Sequence, residues 1–195
     1  MNKFILLLFF VLLFHSLVPL LRSGQAFAQL KIEDLEKRLI TIHYEDSVVK
    51  AQVLIEKKKM KPIEESLYHW YKSNKLFITK GGFDGHLLHG NYTELYKNQN
   101  LKVKGGFKNG LKNGKWMSWY ENGQVRNVVY WKKGVKNGLF RYYISSGQLI
   151  KEGRYSKDKL DGKVKIYDHY NKVKILIYKK GVEKKSTEEK KILET

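Results

Sequence analysis

The chain of 195 residues has no cysteine. A disulfide framework is excluded, and so is any chemistry that runs through a thiolate. There is also no cysteine to carry a lipid anchor after export. Long apolar runs are lacking too. The longest, Phe4 to Phe14, has 11 residues, short against the roughly 20 that a membrane span needs. Acidic residues are scarce where it matters most. Residues 66–185 hold 26 Lys and Arg against 8 Asp and Glu, so this stretch carries +18 of the total +19. Residues 29–65 hold 8 of each sign and are neutral.

Catalytic constellations are missing as well. Glu94, Glu121, Asp161 and Asp168 show no pairing of the kind a two-carboxylate hydrolase requires. The histidines (His15, His43, His69, His86, His89 and His169) stand in no recognisable frame with a serine nucleophile. Asp84, His86 and His89 cluster in a turn-rich stretch without further ligands, and a metal site needs several ligands at defined geometry. Gly81-Gly82 and Gly105-Gly106 fall 24 residues apart; they belong to a repeat and not to a phosphate loop, which needs a following helix. The expectation is a protein that is not an enzyme, with no cofactor, no metal and no small-molecule substrate.

What is present is one unit written five times. Glycine recurs at Gly90, Gly114, Gly138 and Gly162, and the same spacing of 24 leads back to Ser66. The copies run 66–89, 90–113, 114–137, 138–161 and 162–185. The third place is Tyr68, Tyr92, Trp116, Phe140 and Val164; the sixth is Tyr71, Leu95, Trp119, Tyr143 and Tyr167. The eighteenth is Phe83, Phe107, Trp131 and Tyr155, and Tyr178 fills it in the last copy after a slip of one residue. A fixed period of this length marks a repeat array. Places 2 to 8 are rich in aromatic and β-branched residues, as strands are. Glu121-Asn122-Gly123 and Ser145-Ser146-Gly147 read as hairpin turns, Asn-Gly because both residues tolerate positive φ. Lys108-Asn109-Gly110, Lys132-Lys133-Gly134 and Lys179-Lys180-Gly181 read as a second turn. Each copy is thus one hairpin, too small to stand alone. The fold expected is all-β: an elongated antiparallel meander of ten stacked strands with the repeated aromatics as its core.

The flanks differ. Met1 to Ala28 reads as a secretory signal: Lys3, the apolar run, Pro19 and the A-x-A site Ala26-Phe27-Ala28, with cleavage before Gln29. Retention as an uncleaved anchor is the alternative. Residues 30–39 suggest a short helix. Ile40, Ile42 and Tyr44, then Val49, Ala51, Val53 and Ile55, alternate on either side of Glu45-Asp46-Ser47, a hairpin signal. Repeat arrays need terminal caps, so 29–65 is expected to cap the array through this hairpin. The tail, 186–195, is charged and expected to fray.

The unit G-x-W-x-x-W-Y-x-N-G, then Tyr-Trp-x-x-Gly, then Lys-Asn-Gly, carried by Gly114 to Val125 with Trp131 to Gly138, resembles the MORN repeat. It is most similar to the bacterial MORN variant of the YwqK-type antitoxin family, and Tyr68-His69-Trp70-Tyr71 with Gly81-Gly82-Phe83-Asp84-Gly85 looks like the opening copy of its exported members. The resemblance covers about 120 residues and implies a β-hairpin array that binds other proteins; some eukaryotic relatives are linked to membranes. Two departures, Ser66 for an opening glycine and Asp158-Lys159 for a turn glycine, touch repeat boundaries only.

Three functional readings follow, all for a periplasmic, surface or secreted bacterial protein. The first is a protein–protein interaction scaffold. Its candidate strip is Trp116, Trp119, Tyr120, Arg126, Trp131, Arg141, Tyr142 and Tyr143, since Tyr, Trp and Arg are the usual interface anchors; core packing is the competing role for the same rings. The second is binding to an anionic envelope component through Lys102, Lys104, Lys132, Lys133, Lys163 and Lys165, against which stands an ordinary lysine-rich surface that keeps strand edges apart. The third is an antitoxin or immunity protein with one dedicated partner. Export makes a nucleic-acid partner unexpected.

Overall fold

The computed structural model describes residues 36–56, 60–170 and 172–184. The chain divides into two units, 1–37 and 38–195, and the first enters the description only through residues 36 and 37. The signal sequence, the tail and most of the helix expected over 30–39 lie outside the described residues. The last three positions of that expected helix are strand instead.

The fold class is the one the repeats predict. Fourteen antiparallel strands form one open sheet, and there is no helix among the described residues. An N-terminal hairpin, β1 (Lys37–His43) and β2 (Ser47–Leu54), is followed by β3 (Leu67–Lys72) and β4 (Lys75–Lys80) from the first copy. The second copy supplies β5 (His86–Tyr96) and β6 (Leu101–Lys108), the third β7 (Leu111–Trp119) and β8 (Val125–Lys132). The fourth gives β9 (Val135–Tyr143), β10 (Leu149–Ser156) and the short β11 (Lys159–Leu160). The fifth gives β12 (Gly162–Tyr167), β13 (Val173–Lys179) and β14 (Val182–Lys184). The main path runs β1-β2-β5-β6-β7-β8-β9-β10-β12-β13-β14.

The first copy leaves that path. Its strand β3 touches only the start of β5, through Trp70↔Leu87 and Tyr71↔His86. The N-terminal hairpin takes the vacated position: β2 pairs along β5 from Ser47↔Tyr96 to Val53↔Leu88. The opening glycines explain the difference. Gly90, Gly114, Gly138 and Gly162 all have positive φ, from 79° to 121°, a region L side chains avoid. At each of the last three the ladder steps by two residues, as from Lys104↔Met117 to Gly106↔Asn113 and from Val129↔Phe140 to Trp131↔Lys136. Ser66 cannot make that bend without strain, and its copy folds across the sheet. Tyr71 and Leu76 pack onto the cluster of Ile40, Ile42, Val49, Ala51, Val53, Leu88, Phe107 and Trp116. Tyr68 and Trp70 build a second cluster with Leu54, Leu87 and Leu111.

The slip in the last copy has a physical origin as well. Lys102, Arg126 and Ile150 are each the extra residue of a bulge in the return strand of copies two, three and four. In the fifth copy the ladder runs without a break from Gly162↔Tyr178 to Tyr167↔Val173. One residue is missing, so the aromatic arrives one position early.

The turns differ from the reading of Asn122-Gly123. Only Gly123 has positive φ there, 86°, and Gly123 N–H donates to Tyr120 O while Tyr120 N–H donates to Gln124 O. This is a type I turn closed by a left-handed residue. Asn122 contributes its side chain instead: it accepts from Gln124 N–H at 3.1 Å and donates to Ser145 O at 2.8 Å. In copies two to five the turns with two positive φ values lie at the other end of the hairpin, at Asn109-Gly110, Lys133-Gly134, Lys157-Asp158 and Lys180-Gly181; in the first copy Ser73-Asn74, at the same end as Asn122-Gly123, has two as well. Asp158 stands in for glycine at φ 65°, and its carboxylate accepts Lys136 N–H at 2.7 Å.

The third place is the buried axis of the array. Tyr68, Trp116, Phe140 and Val164 are at most 5% exposed. Small residues in the preceding return strand make room for them. A Cβ on Gly105 would lie 2.2 Å from the Trp116 ring, and one on Gly153 would lie 3.0 Å from both Phe140 and Val164.

Candidate binding surface

Period-2 alternation sorts each strand's side chains onto two faces. The packed face carries the third-place residues and the eighteenth-place rings. In the return hairpins of copies two to four the eighteenth place lies directly across the ladder from the twenty-third, Phe107↔Lys112, Trp131↔Lys136 and Tyr155↔Leu160, and in the last copy Tyr178 faces Glu183. Two lysines therefore stand on an aromatic floor. Lys112 Nζ is 4.4 Å from the Trp116 ring centroid and 4.9 Å from that of Trp131. Lys136 Nζ is 5.9 Å from Trp131 and 5.1 Å from Tyr155. Trp131 is shared by both ammonium groups, a cation–π arrangement. Among the described residues no carboxylate or hydrogen-bond acceptor engages either ammonium.

The electrostatics follow from this crowding. Burial, and then the charge of Lys136, hold Lys112 below the usual lysine pKa. His69 lies 4.7 Å from the Phe107 ring, its Nδ1 3.3 Å from Gly110 O. Burial, and then the Lys112 charge, push its pKa down to about 4, so it is neutral at pH 7. Tyr92 is raised well above the usual tyrosine range by burial and then by the Glu94 carboxylate, to which its hydroxyl donates at 3.2 Å. Glu94 also meets Lys102 at 3.0 Å, and Lys102 meets Asp46 at 3.0 Å. Beside Lys112 a cleft of about 190 Å³ opens between the β3–β4 hairpin and the sheet. Leu76, Phe77 and Ile78 line one side; Tyr92, Phe107 and Trp116 line the other.

The opposite face is a shallower surface. A groove of about 430 Å³ is lined by Lys115, Met117, Val128, Tyr130, Leu139, Arg141 and Tyr143. The adjoining groove, about 320 Å³, is lined by Glu152, Arg154, Lys163 and Lys165. Glu152 holds Arg141 at 3.2 Å and Lys165 at 3.3 Å and accepts from the Tyr167 hydroxyl at 2.9 Å.

The eight residues of the sequence-predicted strip do not share one surface. Trp116 and Trp131 lie beneath the lysines on the packed face, and Tyr142 packs there against Phe140 at 5.4 Å. Arg141 and Tyr143 line the groove on the other side. Tyr120 sits at the hairpin end with its hydroxyl donating to Tyr143 O at 2.9 Å, and the bulge residue Arg126 lies 5.7 Å from its ring. Trp119 is half-buried, and its carbonyl accepts from the Tyr96 hydroxyl at 2.8 Å. Asp84, His86 and His89 turn to separate partners: Asp84 to Lys72 at 2.6 Å, His86 to Leu54 O at 2.9 Å, and His89 to Asn109 N–H at 3.3 Å. No group of three or more potential metal ligands occurs among the described residues.

Lys112 and Lys136 were absent from the strip. The signal was in the repeat: the twenty-third place is Leu88, Lys112, Lys136 and Leu160, and Glu183 stands there in the last copy after the slip. Lysine at a place that is leucine in the copies on either side is not a random surface charge. No protein-family model matches the chain, and no curated protein matches it.

Proposed function

We propose that this chain is an exported, non-enzymatic MORN-variant repeat protein whose work is to hold another protein against its sheet. The observation that supports the reading best is the pair of unneutralised ammonium groups over Trp131, with an aromatic-walled cleft beside them. Half-buried charge without a counter-ion is unfavourable in the free protein, and an aromatic floor is the kind of surface on which interfaces anchor. A β-sheet array offers both faces as rigid, repeated platforms.

The basic groups of the opposite face favour a second reading, attraction to an anionic envelope surface. Lys115, Arg141, Arg154, Lys163 and Lys165 lie there, against two acids, Glu152 and Asp161, lining those grooves. Salt separates the readings, because exposed charges are screened within roughly 10 Å at 0.1 M salt. The test is retention from a cell-envelope extract at 50 and 500 mM NaCl. A protein partner kept at high salt, and lost when Trp131 is replaced by Gln, supports the scaffold. Mixed anionic material recovered only at low salt overturns it in favour of charge binding.

A further inference from the structure

We infer that the shelf of Lys112, Trp131 and Lys136, together with the adjoining cleft, is the docking site for an acidic, extended peptide segment of a partner protein. This rests on the scaffold reading and names the partner's chemistry.

The fold does not need lysine here. Leu88 and Leu160 occupy the equivalent places of neighbouring copies, and Leu160 packs against the same kind of floor beside Tyr155. Two lysines instead put like charges on one ring, and each repels the other. A lysine ammonium has three N–H donors, and none of those on Lys112 or Lys136 is used within the described protein. Contact with the rings satisfies only the side of each ammonium that faces them. An anion on the open side would remove the repulsion and engage the idle donors.

The geometry narrows the anion to carboxylates on an extended chain. Equivalent places in successive copies are two strands apart, about 10 Å at the usual strand spacing. An extended peptide advances about 3.3 Å per residue and turns every second side chain to the same side, so carboxylates at positions i and i+2, about 7 Å apart, reach the two ammonium groups that converge on Trp131 at 4.9 and 5.9 Å. The cleft of about 190 Å³ next to Lys112 has room for one apolar side chain, and its walls are Phe77, Tyr92, Phe107 and Trp116. The motif that fits is an apolar anchor followed by two acids two residues apart, all three on one side of the extended chain. A flat membrane surface fits poorly, because the β3–β4 hairpin overhangs this end of the shelf. A polyphosphate chain would gain little, since His69 in the cleft is uncharged and only two cations converge.

The probe is the peptide acetyl-Phe-Gly-Asp-Gly-Asp-amide, titrated into the full chain while tryptophan emission is followed. Saturable change is expected, weakening at least tenfold when both Asp are replaced by Asn in the peptide. The variant Lys112→Leu/Lys136→Leu uses residues the repeat already accepts, so it is expected to melt no lower than the parent and to bind at least tenfold more weakly. Lys163→Gln/Lys165→Gln on the other face is expected to bind as the parent does. Equal binding of the Asp and Asn peptides overturns the inference, as does unchanged binding by the leucine variant. Binding of an oligogalacturonate that depends on Lys112, without binding of the Asp peptide, would also overturn it and make the occupant an acidic saccharide. In the envelope retention assay, a partner held equally by parent and leucine variant leaves the scaffold standing and removes this inference. Failure of the parent to hold any protein removes both.

Discussion

Alanine at Gly105 should be far more costly than alanine at Gly106, one residue away in the same strand. A Cβ on Gly105 would sit 2.2, 2.4 and 2.7 Å from three carbons of the Trp116 indole. The ring has nowhere easy to go. It is 5% exposed, its Nε1–H donates to Gly106 O at 3.1 Å, and it meets Phe107 edge-on at 4.9 Å. Overpacking of this kind costs roughly 1–3 kcal/mol, and losing the indole hydrogen bond adds about 1 kcal/mol. At Gly106 the nearest atoms to a new Cβ are two carbonyl oxygens at 3.5 Å, an ordinary contact. There the reduced freedom of the unfolded chain should leave stability unchanged or raise it by about 0.5–1 kcal/mol. For a domain of this size each kcal/mol shifts Tm by roughly 2–4 °C. Thermal melts followed by circular dichroism should therefore place Gly105→Ala about 5–15 °C below the parent and Gly106→Ala at or slightly above it. A double-mutant cycle isolates the cause: with Trp116→Val, the residue type the last copy uses at Val164, the cost of Gly105→Ala should nearly vanish. Equal melting temperatures for the two alanine variants would refute the reasoning. Strict additivity with Trp116→Val would show that the glycine serves something other than the ring.

The remaining predictions concern charge and the N-terminal hairpin. His69 has a native pKa of about 4 against about 6.5 in an unfolded chain. The unfolded state therefore takes up a proton first as pH falls, and stability present above pH 6.5 is lost towards pH 4. The full loss is of the order of 3 kcal/mol; urea titrations of His69→Gln should be flatter across that window, and an unchanged slope would rule out His69 as the source. Lys112→Leu alone should raise the urea midpoint at pH 7 by about 0.5–1 kcal/mol equivalent, since it replaces a half-buried, repelled cation with an apolar side chain; a lower midpoint would mean the cation–π contacts outweigh the repulsion. Deleting residues 29–60 strips β5 of its partner strand and uncovers Leu88, so the shortened chain should aggregate or become protease-sensitive; equal solubility and resistance would show that the hairpin is no cap.

The sheet was legible because its information is local and repeated. A ring at one place in every 24 residues is hard to place anywhere but on a common axis, and the third place became that axis. The one-residue slip at Tyr178 was visible too, though only the unbroken ladder of β12 and β13 gave it a cause, a bulge left out. Partner choice was not legible. Strand β2 and the strand of the first copy compete for the same edge of β5, and both have the alternation a strand needs. What decides is the opening residue, Ser66 where later copies have a glycine at positive φ. A single unfavourable backbone conformation there outweighs continuity of sequence, because β2 supplies Val49, Ala51 and Val53, each at most 2% exposed, to the same ladder without strain. The lysine shelf was not legible for a different reason. Aromatic and Arg content points to residues that recur, and a residue that recurs in a repeat is first a packing residue. Places that packing does not dictate show themselves as departures from the repeat. Lys112 and Lys136 are charged where the flanking copies have Leu88 and Leu160, and the register sets Lys136 directly across from Trp131. The fourth place changes in every copy (His69, Thr93, Met117, Arg141 and Lys165), and Met117 and Arg141 face the groove over β7, β8 and β9, so they are the next positions to test.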